Sequence, residues 1–522
     1  MACFLAEILK RSNIIITSRP SAKAPPNLDL ELETIGFGPD QVNEYIERSF
    51  TNTETGETDQ VKVHKVQSFL QERWLIQGLV RIPIQLDALC YTWEEFDPET
   101  MPSTMTGMYT SIVQKLWKKD VVRLEKVKEG YAKDAHGAEI EGRVTAEIAL
   151  VECLAFNGLH NDVIDFAPVH RAGVVRLYPL QDLSLDETLS RLSFLRTSDT
   201  AANITHRNYH FIHLTFQEYF AARYFVRQWK ERGGQLQCLT FSNKDKETKA
   251  SRPVEFLQKH KYTARYDIFW RFVAGLLDGS GQAADFISTI EEEPLDLLGP
   301  THQRLVMHCL SDISSPLTTG KVLEDRLAQW LVFECKSARL ASEIEFPEVA
   351  LMTALLDKSS DVQKIILQSL ASRALIPRSI AQAVAARLGD EHEYVRLAAV
   401  RALGGRVALP DEVLTAVAAR LGDEHRFVRR AAVDILMQRH EKLCCTLLKG
   451  PLISSLYKAL LERSFEEQLS WYIAKDNSYI NMPDGITEFS VDIQQNEFCE
   501  WINGARPADY PSTSGGKSLS HN

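Results

Sequence analysis

The chain has 522 residues, 44% of them apolar and 25% charged, and a formal net charge of −11. Those proportions belong to ordinary globular protein with room for roughly three to five domains, and the acidic balance argues against general affinity for nucleic acid or an anionic membrane. Nine cysteines are scattered without a Cys-x-x-Cys spacing, and Cys444 and Cys445 are adjacent, a pattern that suits a reducing compartment. No apolar run reaches the roughly 18 residues of a membrane span and no signal-peptide pattern opens the chain. The expectation is a cytoplasmic, helix-dominated protein with no membrane or nucleic-acid partner.

In chain order, residues 13–19 (NIIITSR) form a β-branched run stopped by Pro20, which predicts a short strand ending in Arg19. A turn at Gly36-Phe37-Gly38-Pro39-Asp40 leads into a helix with Val42, Tyr45 and Ile46 on one face. Within residues 61–96, GLVRIPIQLDALC places Pro83 where a helix can start, because the missing amide would be an orphan in the first turn anyway. Trp93 and Phe96 are core candidates. Residues 105–117 and 146–158 read as amphipathic helices, and the charged stretch 118–141 between them reads as a solvated helix face. Residues 192–196 and 209–214 alternate as strands around a polar loop. From Phe216 onward the pattern is almost wholly helical, with Phe269, Trp270 and Phe272 in a strong apolar helix.

The most informative stretch is 209–222, YHFIHLTFQEYFAA. Its first half has a period of two; from Phe216 the apolar spacing is helical. Thr215 with Glu218 three residues on has the form of a capping box. His213 then sits just before the positive end of a helix, where amides and dipole favour an anion such as phosphate. The alternative is a packed strand histidine with a hydrogen-bond partner.

Residues 383–403 recur at 416–436, with Val395 and Val428 33 residues apart. A looser copy at 354–370 places Val362 33 residues before Val395. It carries Gln363 where the others have arginine, and its turn reads as one residue shorter. Each copy is a helix, a turn and a helix that cannot bury its apolar face alone, so copies must stack. Val395, Ala398, Ala399 and Leu403, with Val428, Ala431, Ala432 and Leu436, are the expected shared core. The copies resemble HEAT repeats, and the resemblance implies that the turn aspartate and following arginine, Asp390 with Arg396 and Asp423 with Arg429, can ladder between copies. As exposed ion pairs they would contribute about 0–1 kcal/mol each. Residues 456–473 read as a closing helix pair, and 511–522 as a Ser/Gly-rich disordered end.

The 209–222 stretch resembles the close of the winged-helix domain in NACHT-family NTPases, the STAND-class signalling proteins that include the NLR immune receptors. The repeats resemble HEAT repeats, and their combination with the rest is similar to NLR proteins of filamentous fungi. The resemblance covers roughly residues 13–340. It implies a fold dominated by α-helices: an NTPase-core remnant at 1–20, a helical domain at 21–102, a winged-helix domain with a small β-wing at 103–215, a second helical domain at 216–345, HEAT-like repeats at 346–475 and a tail at 476–522. It implies three pocket contacts: Arg19 toward a γ-phosphate, Pro83 against adenine and His213 on the β-phosphate of ADP. Each has a plainer reading, as a strand-closing arginine, a helix-starting proline and a packed histidine. The family is a molecular switch in innate immunity and signal transduction: nucleotide exchange opens it, and opened chains oligomerise.

The phosphate loop that would hold ATP or ADP is missing from the sequence. Gly516-Lys517-Ser518 has the tail of Gly-x-x-x-x-Gly-Lys-Ser/Thr but Pro511 stands at its head. Gly320-Lys321 has Ser315 and Val322 at the ends. His392-Glu393 and His440-Glu441 start like zinc-protease helices, with Arg396 and Cys444 in place of the second histidine. The expectation is therefore no enzyme, no metal and no cofactor in this chain, with ATP/ADP implied only for the complete family protein. The chain reads as a fragment, a truncated product or a partner acting in trans, with protein partners or elicitors meeting the repeats. A pure interaction scaffold is the competing reading.

Overall fold

The computed structural model describes residues 36–437 apart from 54, 94–102, 178–184, 198–202, 242–247, 297–298, 335–340, 342, 344, 358, 374–375 and 405–408. The strand at 13–17, Arg19, Phe96, the closing helix pair and the tail lie outside the described residues. Helices dominate, and the chain divides into two compact units, one up to Leu323 and one from Glu324.

The first unit opens on a turn at Gly36, whose φ is +77° and whose missing Cβ would lie 2.4 Å from the Arg81 carbonyl oxygen. Only glycine fits both conditions. The adjacent Phe37 amide donates to that carbonyl at 2.7 Å. The Pro39–Ser49 helix follows with Pro at its start, burying Val42 and Ile46. Gln60–Glu72 is capped by the Asp59 carboxylate. Trp74–Leu79 and Pro83–Thr92 complete this helical group, in which Trp93 is buried against Phe69.

Met105–Arg123 is capped locally by Thr104, and from far along the chain by Asp312, whose carboxylate accepts from the Met105 and Thr106 amides. The next segment is not a single solvated face. It breaks into two short helices, Glu129–Asp134 and Gly137–Arg143, and Lys126 turns inward to pair with the fully buried Glu147 at 2.6 Å.

Thr145–His160 also departs from the amphipathic expectation, because it is buried on nearly every side. Its polar residues have internal partners. Glu147 meets Lys126, Glu152 meets Arg223 and Arg227, and Asn157 accepts from the Leu239 amide at 2.8 Å. Burying polar groups is tolerable only on such terms. Asn157 and Asn161 together tie down an antiparallel hairpin, Leu236–Leu239 with Thr248–Ser251, that the helical pattern after Phe216 hides.

The two strands expected before that point do pair, as Leu195–Arg196 with His210–Phe211, antiparallel and only two residues long. A further bridge joins Phe166 to Tyr209. Leu214–Lys230 then packs on both Thr145–His160 and Asp267–Asp278. Phe216, Tyr219, Phe220, Tyr224 and Phe225 are buried, as are Phe269, Trp270 and Phe272 opposite. Fully burying each such ring contributes about 1.5–3 kcal/mol. This aromatic interface is the centre of the unit.

Among the described residues, the second unit contains three helix pairs: Glu348–Leu355 with Ser360–Ala371, Arg378–Ala386 with Glu393–Leu403, and Asp411–Ala419 with Arg426–Met437. The eight residues expected in their shared core are all buried. The first pair's turn is not shorter than the others. Asp357 stands 33 residues before Asp390, and Ser360 opens its second helix 33 before Glu393. Gln363 donates to the Asp357 carbonyl at 2.7 Å, as Arg396 does to the Asp390 carbonyl at 2.9 Å and Arg429 to the Asp423 carbonyl. Glutamine therefore keeps the turn-closing bond and lacks the guanidinium fork that reaches the next repeat.

Candidate functional site

His213 has extended backbone angles, φ −152° and ψ 152°, and is itself the cap of the Leu214–Lys230 helix. Its Nδ1 accepts from the Thr215 amide at 3.3 Å. The capping box expected from Thr215 and Glu218 is not formed, since Thr215 already lies in the first helical turn. The imidazole does the capping, and the Phe216 amide bonds the His213 carbonyl at 3.1 Å. Two of the helix's first amides are thus satisfied within the chain, and the helix end is less open to an anion than its sequence implies.

The geometry fixes the histidine's proton. An amide N–H can only donate, so Nδ1 is an acceptor, and the neutral ring carries its hydrogen on Nε2. Burial lowers the His213 pKa below the ordinary histidine value, which favours this neutral form. The Thr215 hydroxyl, 2.8 Å from the same Nδ1, then donates to it. Thr215 Oγ1 in turn accepts from the Tyr109 hydroxyl, and Tyr109 accepts from Gln85 Nε2 at 3.2 Å. Gln85, Tyr109 and Thr215 are all buried, and His213 is half-buried. The result is a hydrogen-bonded file of Gln85, Tyr109, Thr215 and His213, all polarised in one direction, that ends in the Nε2–H.

Tyr109 is held in place by aromatic neighbours, with ring centroids 5.1 Å from Phe216, 5.9 Å from Tyr219 and 5.0 Å from Phe272. Burial pushes its phenol pKa up, which keeps the hydroxyl protonated and able to donate.

Pro83 is the first residue of the Pro83–Thr92 helix and is exposed. Gln85 sits in the same first turn. The structure therefore links the helix that begins at Pro83 with His213, through side chains separated by 106 positions between Tyr109 and Thr215. Arg19 lies outside the described residues. No sequence signal marks Gln85 or Tyr109, because each looks like any polar or aromatic residue on a helix. Thr215 is conspicuous in the sequence, but its hydroxyl serves the histidine rather than the helix end.

Among the described residues no helix is long and apolar enough to cross a membrane.

Comparison with known families places two segments. Residues 61–104, which hold Pro83 and Gln85, match a domain of unknown function, DUF7068. Residues 348–437 match HEAT repeats, so the second unit carries a helical repeat scaffold of the kind that commonly mediates protein–protein contacts. Neither match spans half of the chain, and no curated protein matches it.

Proposed function

We propose that the chain is the regulatory and ligand-sensing part of an NLR-like signalling switch, with HEAT repeats for protein partners and an incomplete nucleotide pocket. The observation that carries this reading is the Nε2–H of His213, presented by a neutral, helix-capping imidazole at the end of the buried file from Gln85. A donor of that kind suits the β-phosphate of ADP. Pro83, exposed at its helix start, suits an adenine face. Arg19 completes the proposed set as a γ-phosphate contact. These residues fit ADP in part. A phosphate loop would add several amides, a lysine and a magnesium-binding hydroxyl, and two of the helix amides behind His213 are already satisfied.

Affinity follows from that deficit. One hydrogen bond to a charged group contributes about 1.5–3 kcal/mol, whereas micromolar binding needs about 8 kcal/mol. The proposal is therefore of a chain that neither hydrolyses ATP nor holds ADP at micromolar concentration. In the complete switch, opening would be coupled to oligomerisation, and elicitors would meet the repeats.

The test follows the His213 ring nitrogens by long-range proton–nitrogen NMR during an ADP titration, with adenosine as the phosphate-free control and His213→Leu to assign the signal. A shift of Nε2 at millimolar ADP, absent with adenosine, supports the reading. No shift with ADP removes the nucleotide role and leaves an interaction scaffold. Micromolar binding that His213→Leu abolishes would show a complete pocket and overturn the deficit. The scaffold reading has its own support, since the HEAT match and the self-capped helix end require no nucleotide.

A further inference from the structure

We propose that the cleft bounded by Met105–Arg123, Gly137–Arg143, Thr145–His160, Leu214–Lys230 and Asp267–Asp278 is a binding site for a small organic anion, an apolar body carrying one carboxylate or phosphate. Its volume is about 630 Å³, within the ordinary range for small-molecule sites. This site does not depend on the nucleotide reading.

The argument starts from three cations on one helix. Arg223, Arg227 and Lys230 stand at i, i+4 and i+7 of Leu214–Lys230, so they share a face, and all three line the cleft. Two carboxylates face them. Arg223 places Nη1 2.9 Å from Glu141 and Nε 3.1 Å from Glu152, while Arg227 Nη2 is 2.9 Å from the other oxygen of Glu152. Glu152 is almost fully buried, and burial raises its pKa, the two guanidiniums opposing that shift. Both acids are therefore committed to the arginines.

That leaves a surplus of donors. A guanidinium has five N–H groups and an ammonium three, and two carboxylates cannot engage them all. Lys230 has no ion-pair or hydrogen-bond partner among the described residues. Lys230 stands exposed at the rim of the cleft, and partial desolvation there, together with the charge of Arg223, lowers its pKa below the ordinary lysine value. An ammonium in that position has no protein counter-charge among the described residues, and an anion bound beside it offsets the repulsion from Arg223.

The remaining walls decide what the anion is attached to. Leu276 contributes part-exposed aliphatic surface to the wall, backed by the largely buried Ile148 and Val226, and a bare ion would leave that surface in water. An organic body covers it. Guanidinium forks accept carboxylate and phosphate alike, so the head group is left to experiment.

The test titrates the whole chain by calorimetry with phenyl phosphate, benzoate and inorganic phosphate. Phenyl phosphate and benzoate present one ring with the two head groups. The expected result is saturable binding of at least one of them, tighter than inorganic phosphate, with the stronger of the two naming the head group. Lys230→Met should weaken it about tenfold or more, the effect of losing one charged contact, and leave the melting temperature of the unliganded chain unchanged. Arg227→Met should weaken it in the same direction. The proposal is overturned if neither ring compound binds saturably, if inorganic phosphate binds as tightly as both, or if both variants bind like the parent chain.

Discussion

Arg396 and Asp423 form a two-point ion pair between successive repeats, Nε to Oδ2 at 2.9 Å and Nη2 to Oδ1 at 3.0 Å, with both side chains buried. Arg396 also donates to the Asp390 and Glu391 carbonyls, so one side chain closes its own turn and grips the next. An exposed pair would contribute little, as the sequence suggests, but a buried one behaves differently.

Removing Arg396 leaves the Asp423 carboxylate buried with only the longer ion-pair contact to Arg420 Nη1 at 3.7 Å. Arg396→Ala should cost about 3–5 kcal/mol. Arg396→Met combined with Asp423→Leu should recover part of that loss, because the buried carboxylate is removed with its partner and Arg420, the other cation beside it, is part-exposed. Amide exchange across Glu393–Leu403 and Arg426–Met437 in the whole chain reads the local stability. Equal protection in the single variant and the parent would show that the pair is not what holds the two repeats together.

Gly158 decides a second case by sign. It lies within Thr145–His160, where alanine would favour the helix by about 1 kcal/mol. A Cβ there would fall 2.4 Å from the Phe166 ring and 2.6 Å from Gln217 Nε2. Phe166 cannot easily yield, since it is fully buried and its backbone pairs with Tyr209 in both directions. Overpacking costs about 1–3 kcal/mol, so Gly158→Ala should lower the melting temperature. A rise would mean that Phe166 has room to move.

Asp120 makes a prediction about pH. Its carboxylate is fully buried and accepts from the Ser193 amide at 2.7 Å and hydroxyl at 2.6 Å. Burial raises its pKa from 3.8 to about 6, against the opposing pull of those bonds and of Arg123. Between these values the folded chain holds a proton that the unfolded chain has lost. The contribution of Asp120 is therefore complete below pH 3.8 and disappears as pH rises through about 6. Its size is on the order of 3 kcal/mol. Asp120→Asn removes this dependence, so the stability advantage of the parent over the variant should shrink as pH rises across that window. A difference that stays flat would refute it, with melting of both chains at matched pH as the measurement.

The repeats were legible in the sequence because a repeat is local. Val395 and Val428 recur at a fixed spacing, and each helix pair takes its apolar contacts from its neighbour. Residues 209–222 were legible for a similar reason, since a change of period from two to helical is visible within fourteen positions. The turn from strand to helix falls where that change occurs. What the residues do there was decided by tertiary contact. Thr215 has the right chemistry to cap the helix, but His213 occupies the cap and Tyr109 claims the hydroxyl from 106 positions away. The same holds for Thr145–His160. Its glutamates and Asn157 mark a solvent face by pattern, and only packing brings Lys126, Arg223 and the Leu239 amide to meet them. Periodicity along a chain reports which side chains avoid water on average. Whether a polar group is buried depends on a partner that distant sequence supplies, and that partner exists only once the chain has folded.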